Sequence, residues 1–216
     1  MTTIKTTLLA GSFMFVAALT STATTILNFD SVPISSGAGV DATSYLASFG
    51  ITLSNVTPGP SGAVQIYSDQ FITYEGASSP HNFLMQNGGG APNGLTYTLN
   101  FSTALTSLSF VRIAQTAPNA VAQWTATAFA GFTAVGSVGE NSFSGTEPAQ
   151  TYSLFAGSSS GITSLEITAN GGGFAGVPSL PMDDLTLNQV PEPSTFVLIL
   201  GAAAACALCG RKRLTA

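Results

Sequence analysis

Along the middle of this chain, apolar and polar residues alternate one by one. In Leu95-Thr96-Tyr97-Thr98-Leu99-Asn100-Phe101 the odd positions are apolar, and Ser164-Leu165-Glu166-Ile167-Thr168 repeats the pattern. A period of two sends successive side chains to opposite faces of a strand and marks a sheet with one buried face. Helical periodicity is scarce. Only 41–49 reads as briefly helical, with Tyr45, Leu46 and Phe49 on one face. Candidate strands are 26–29, 51–56, 64–67, 95–101, 105–113, 121–129, 134–138, 152–155, 162–168 and 185–187. Turn formers separate them: Pro58-Gly59-Pro60, Asn87-Gly88-Gly89-Gly90, Pro92-Asn93-Gly94, Ser158-Ser159-Ser160-Gly161 and Asn170-Gly171-Gly172-Gly173. Many short strands without long helices predict an all-β fold, an antiparallel β-sandwich of jelly-roll type.

The two ends obey a different pattern. Lys5 precedes an apolar stretch over 8–19, and Ser21-Thr22-Ala23 offers small residues for cleavage. That is the layout of a secretory signal peptide over 1–23. The other end, 190–216, begins with Val190-Pro191-Glu192-Pro193-Ser194-Thr195, continues as an uncharged apolar run over 196–209, and closes on Arg211-Lys212-Arg213. As a helix, that run is about 21 Å long against a hydrocarbon core of about 30 Å. It is long enough to retain a chain in a membrane and short for a permanent anchor. The three cations are expected to stay cytoplasmic. Pro191 and Pro193 lack backbone donors and hold the Glu192 segment extended outside the bilayer.

A signal peptide, a low-charge domain, Val-Pro-Glu-Pro-Ser, an apolar helix and Arg-Lys-Arg together resemble the PEP-CTERM protein-sorting family. The resemblance implies that Pro191, Glu192 and Pro193 form a sorting motif and that an exosortase-type membrane enzyme processes the chain. It also implies passage through the secretion machinery across the inner membrane, a transient membrane stage, and release to the cell surface or extracellular matrix. It covers only the tail and carries no implication for the domain over 24–189. That domain has a likeness of its own. Ile26-Leu27-Asn28-Phe29-Asp30, Tyr45 with Phe49-Gly50-Ile51-Thr52-Leu53, and Met182-Asp183-Asp184-Leu185-Thr186-Leu187 resemble lectin-like and carbohydrate-binding jelly rolls.

Composition narrows the partners. The domain holds no cysteine, since Cys206 and Cys209 both lie in the tail. A disulfide framework is therefore excluded, and the two tail cysteines read as small apolar filler. Arg112 is the domain's sole Lys or Arg, set against nine acids, a formal balance of −8. Nucleic acid requires cations to displace phosphate counterions, so it is not a partner. A neutral exopolysaccharide is compatible with this charge.

Few constellations could carry chemistry. The jelly-roll resemblance implies calcium bridging the first and last strands, with Asp30, Asp183 and Asp184 as candidate ligands. Calcium takes six to eight oxygens, so turn carbonyls would complete the set. Two adjacent acids on a regular strand point to opposite faces, so only one of Asp183 and Asp184 is expected to meet Asp30. The ordinary alternative is a turn cap and a solvated acid. Trp124 and Tyr74 are candidate platforms for sugar rings, with core packing as the alternative. His81 is the only histidine and has no nucleophile-elbow pattern near it, so catalytic residues are expected to be absent and the protein is not expected to be an enzyme. Arg112 reads as the structural partner of an acid.

The leading expectation is an exported, noncatalytic surface or matrix protein that binds neutral polysaccharide. One alternative is a self-associating adhesive protein. Another is a secreted glycan hydrolase using paired acids such as Asp184 or Glu166.

Overall fold

The computed structural model describes residues 23–35, 37–57, 63–68, 82–86, 94–114, 120–121, 123–141, 143–144, 147–157, 160–170 and 180–190. All fall within one compact unit, Thr22–Val190. The signal segment, the sorting tail, Tyr74 and His81 lie outside them. No helix among the described residues is long and apolar enough to cross a membrane.

The described chain is all-β and antiparallel, as its alternation predicts. In order it forms β1 (Thr24–Leu27), β2 (Val40–Asp41), α1 (Thr43–Ser48), β3 (Ile51–Thr57), β4 (Val64–Ser68), β5 (Asn82–Gln86), β6 (Leu95–Arg112), β7 (Ala120–Val121), β8 (Gln123–Ala130), β9 (Thr133–Glu140), β10 (Phe143–Ser144), β11 (Gln150–Phe155), β12 (Ile162–Asn170) and β13 (Met182–Gln189). Strands β7 and β10 form a small ribbon of their own. The other eleven share one sheet, with a main path β2-β4-β5-β13-β6-β12-β8-β9. Off that path, β1 joins β13, and β3 and β11 join β6.

One long strand organises this sheet. The expected break between 95–101 and 105–113 does not occur: β6 runs unbroken for 18 residues. Its first half pairs with β3 and β12, its second half with β11 and β13. The pairing jumps from Ile162↔Leu105 to Ser164↔Asn100, so the residues between form a bulge. There the buried set shifts from Leu95, Tyr97 and Leu99 to Leu108, Phe110 and Arg112. Bulges bend a strand and increase its twist, and this one carries β6 from one layer into the other. Ring contacts link β8, β11 and the second half of β6. Trp124 of β8 lies 5.1 Å from Tyr152 of β11 at 87°, and 6.0 Å from Phe110 of β6.

One local feature differs from the sequence expectation. Strand β5 was not expected, because Asn82-Phe83-Leu84-Met85-Gln86 does not alternate. All five residues are buried. Leu84 joins the main core, while Phe83 and Met85 join a second cluster with Tyr67 and Ile113. A strand covered on both faces reads as a continuous run. Helix α1 falls within the expected helical stretch and ends at Gly50, whose φ is 72°. That left-handed φ favours glycine, and a Cβ there would also displace the Ser102 hydroxyl, 2.3 Å away.

Candidate functional site

The outer face of the layer containing β3, the first half of β6, β12 and β8 is a polar grid. Cross-strand register aligns Thr52, Asn100, Ser164 and Phe129 in one row. The next row is Ser54, Thr98, Glu166, Thr127 and Ser137, reaching β9. The residues between these on each strand, such as Leu53, Leu99, Leu165 and Ala128, point the other way, into the core. Alternation thus builds the core and the grid from the same strands.

A recess of about 260 Å³ opens on this grid, lined by Asn55, Thr98, Asn100, Phe129, Gly131, Phe132, Ser164 and Glu166. Three local devices shape it. The β3 ladder slips between Ser54 and Thr57, and Asn55 adopts a left-handed φ of 52°. Asn55 Nδ2 then donates to Thr98 Oγ1 at 3.3 Å. Asn100 Nδ2 donates to Ser54 Oγ at 2.8 Å and to the Thr52 carbonyl at 3.1 Å, which locks the amide in place. The third device is the β8–β9 hairpin, in which Ala130 pairs with Thr133 across the two-residue loop Gly131-Phe132. Gly131 supplies φ 62°, a conformation such tight loops favour. Its N–H donates to Thr163 Oγ1 at 2.9 Å, pinning the loop to β12. Phe132 is left fully exposed at the recess edge.

Glu166 was considered as a paired catalytic acid. It lines this recess as the one carboxylate among the described lining residues. Trp124 requires a correction. It is 1% exposed, and its indole N–H donates to Glu140 Oε2 at 3.0 Å, so neither ring face can receive a sugar. The aromatic rings among the described lining residues of the recess are Phe129 and Phe132 instead. Arg112 takes the structural role expected of it: 2% exposed, it pairs with Glu140, Nε to Oε2 at 3.0 Å and Nη2 to Oε1 at 3.0 Å. The Tyr152 hydroxyl donates to the same carboxylate. Burial, then that hydrogen bond and the Glu140 charge, push Tyr152 up to about 12.

The candidate metal ligands stand at one end of β13. Asp30 lies in a single 3-10 turn, Phe29–Ser31, and accepts the Asn82 N–H at 3.2 Å. Asp183 is largely buried and accepts the Asp184 N–H at 2.7 Å. Burial raises the pKa of Tyr45, and the Asp30 and Asp183 charges add to that rise. The expected regular strand alternation of Asp183 and Asp184 fails. Asp184 has φ 47° and sits where the ladder slips between Asp183 and Thr186. Among the described residues no group of three or more His, Cys, Asp or Glu side chains is placed to hold a metal ion.

Sequence reasoning missed Asn55, Asn100 and Phe132. The available signal was Ala130-Gly131-Phe132-Thr133: a glycine beside an aromatic between two alternating runs marks a tight hairpin that displays a ring.

The fold and face thus define an antiparallel β domain with a polar, aromatic-edged recess on one sheet. The sorting segment is identified separately: residues 189–213 match the family described as the PEP-CTERM protein-sorting motif. That motif implies export and membrane-associated sorting by an exosortase-type enzyme. No curated protein matches the chain. Among solved structures, the K2 cleaved adhesin domain of Lys-gingipain is similar at 12% identity and TM-score 0.46, covering 76% of this chain and 99% of that one. TmCBM61 in complex with β-1,4-galactotriose is similar at 10% identity and TM-score 0.40, covering 65% and 88%. The Stig cyclase Fisc from Fischerella sp. TAU is similar at 11% identity and TM-score 0.43, covering 66% and 85%. Likenesses this distant carry no argument about ligand or activity.

Proposed function

We propose that this chain is an exported, noncatalytic surface or extracellular-matrix protein whose jelly-roll-like domain binds polysaccharide on the β3–β6–β12–β8 face. A signal peptide over 1–23 starts export, and the 190–216 tail holds the chain briefly in the inner membrane until an exosortase-type enzyme releases it. The observation that carries the binding role is the recess itself. Hydroxyl and amide groups from Asn55, Thr98, Asn100 and Ser164 surround it, and Phe129 and Phe132 border them. Flat aromatic faces match the C–H face of a pyranose, and fixed polar groups match its hydroxyls.

One further observation supports a binding role over hydrolysis. Glycoside hydrolysis uses two carboxylates about 5–10 Å apart, and Glu166 is the lone acid among the described residues lining the recess.

Two measurements test the proposal. Mass spectrometry of the protein from cells and medium, with and without the sorting enzyme, should show loss of 1–23 and cleavage near Pro191-Glu192-Pro193 only when the enzyme is present. Affinity electrophoresis through neutral exopolysaccharide should retard the wild-type chain and release Phe132→Ala. Equal mobility of both through every polysaccharide would remove the binding role.

A further inference from the structure

We infer that the recess around Glu166 selects glycans bearing a free, protonated amine, such as a de-N-acetylated hexosamine polymer, over neutral and acidic ones. This rests on the polysaccharide-binding reading above and names the ligand class.

The argument starts from charge placement. Glu166 stands in the middle of the second grid row, with Thr98 and Thr127 directly beside it and Ser54 and Ser137 beyond them. All four neighbours are uncharged. No base lines the recess. None is available to approach it from elsewhere among the described residues either. The sole Lys or Arg between the terminal segments is Arg112, already fastened inside the sandwich to Glu140. Glu166 is half-buried, partly screened from water by its row. A carboxylate in that position gains most from a ligand that brings its own cation, through a charge-assisted hydrogen bond. N-acetylation removes that cation. A uronate or sulfate ester replaces it with a charge of the wrong sign, against a domain that already carries a net negative charge. The remaining lining groups stay available for ring hydroxyls and ring faces.

The test titrates the full-length chain, in a detergent without a sugar headgroup, with glucosamine, N-acetylglucosamine and galacturonate tetramers. Working at about pH 6 keeps the amine protonated, since an α-amino-like group titrates near about 7.7. Glucosamine tetramer should bind about ten-fold tighter than its N-acetylated counterpart, the discrimination expected of one charge-assisted hydrogen bond, and galacturonate should bind weakest. Glu166→Gln should erase that preference, lowering the glucosamine-tetramer affinity to about that of the N-acetylated tetramer in the same variant. Emission from the buried Trp124 reports that the variant is folded. Equal affinity for the first two tetramers, or a preference surviving in Glu166→Gln, would overturn the inference and leave polysaccharide binding standing. Binding of no tetramer and no polysaccharide would overturn both.

Discussion

Glu140 and Glu166 are the same residue in opposite situations. Glu140 ends β9 facing inward, and one carboxylate takes Arg112, Trp124 and Tyr152 together. Glu166 faces outward from β12 among hydroxyls, with no cation in its row. The inner acid accepts from three side chains of this chain and is only 16% exposed. The outer acid has only uncharged register neighbours. A glutamate therefore shows its role by what surrounds it, and the two sites should respond to substitution in opposite ways.

The largest effect should come from the inner acid. Glu140→Ala strands Arg112 in the core and should cost about 3–5 kcal/mol in urea unfolding, the usual result of deleting one partner of a buried pair. A loss below about 1 kcal/mol would mean that water reaches the pair and the contrast is false. Trp124→Phe keeps most of the ring but removes the indole N–H bonded to Glu140. About 1–3 kcal/mol should be lost, seen as a lower urea midpoint with an unchanged slope.

Tyr152 sharpens the comparison through pH. Its folded pKa is raised to about 12, above an unfolded value near about 10. The stability this contributes is complete below the unfolded value and disappears as pH climbs through the folded one. Urea midpoints should fall across that alkaline window, and Tyr152→Phe should flatten the fall; an identical profile in the variant would remove Tyr152 as its source. The fully buried Tyr97, also raised by burial, adds a slope of the same sign that persists in the variant. The smallest effect belongs to the outer acid. Glu166→Gln should leave stability within about 0.5 kcal/mol of wild type, as for substitutions away from structural features. A larger loss would show that Glu166 is structural after all.

How much of this was legible in the sequence depended on periodicity. Alternation located β6, β8, β12 and most other strands, because one buried face imposes it. Strand β5 escaped because burial on both faces erases the period. The continuity of β6 escaped because the bulge after Phe101 shifts the alternation, and a shifted period looks like a turn. The sequence leaves Trp124 open between sugar platform and core, because alternation groups Trp124, Ala126 and Ala128 without saying which side is inward. Small alanines mark the interior weakly. At the recess, Glu166 was visible as an outward acid on β12. Asn55 was not, since its position depends on a left-handed residue in a slipped ladder, which no pattern announces. Arg112 plainly needed an acid, but nine were on offer and only register chose Glu140.

The position of β13 has a consequence for delivery. The last strand is not an edge: β6 lies along one side of it, β1 and β5 along the other. On the export route proposed above, with the N-terminus leading, the slot between those strands stays open until Met182–Gln189 emerges to fill it. Closure must wait for almost the whole polypeptide to clear the channel, and the sorting motif begins where the closing piece ends.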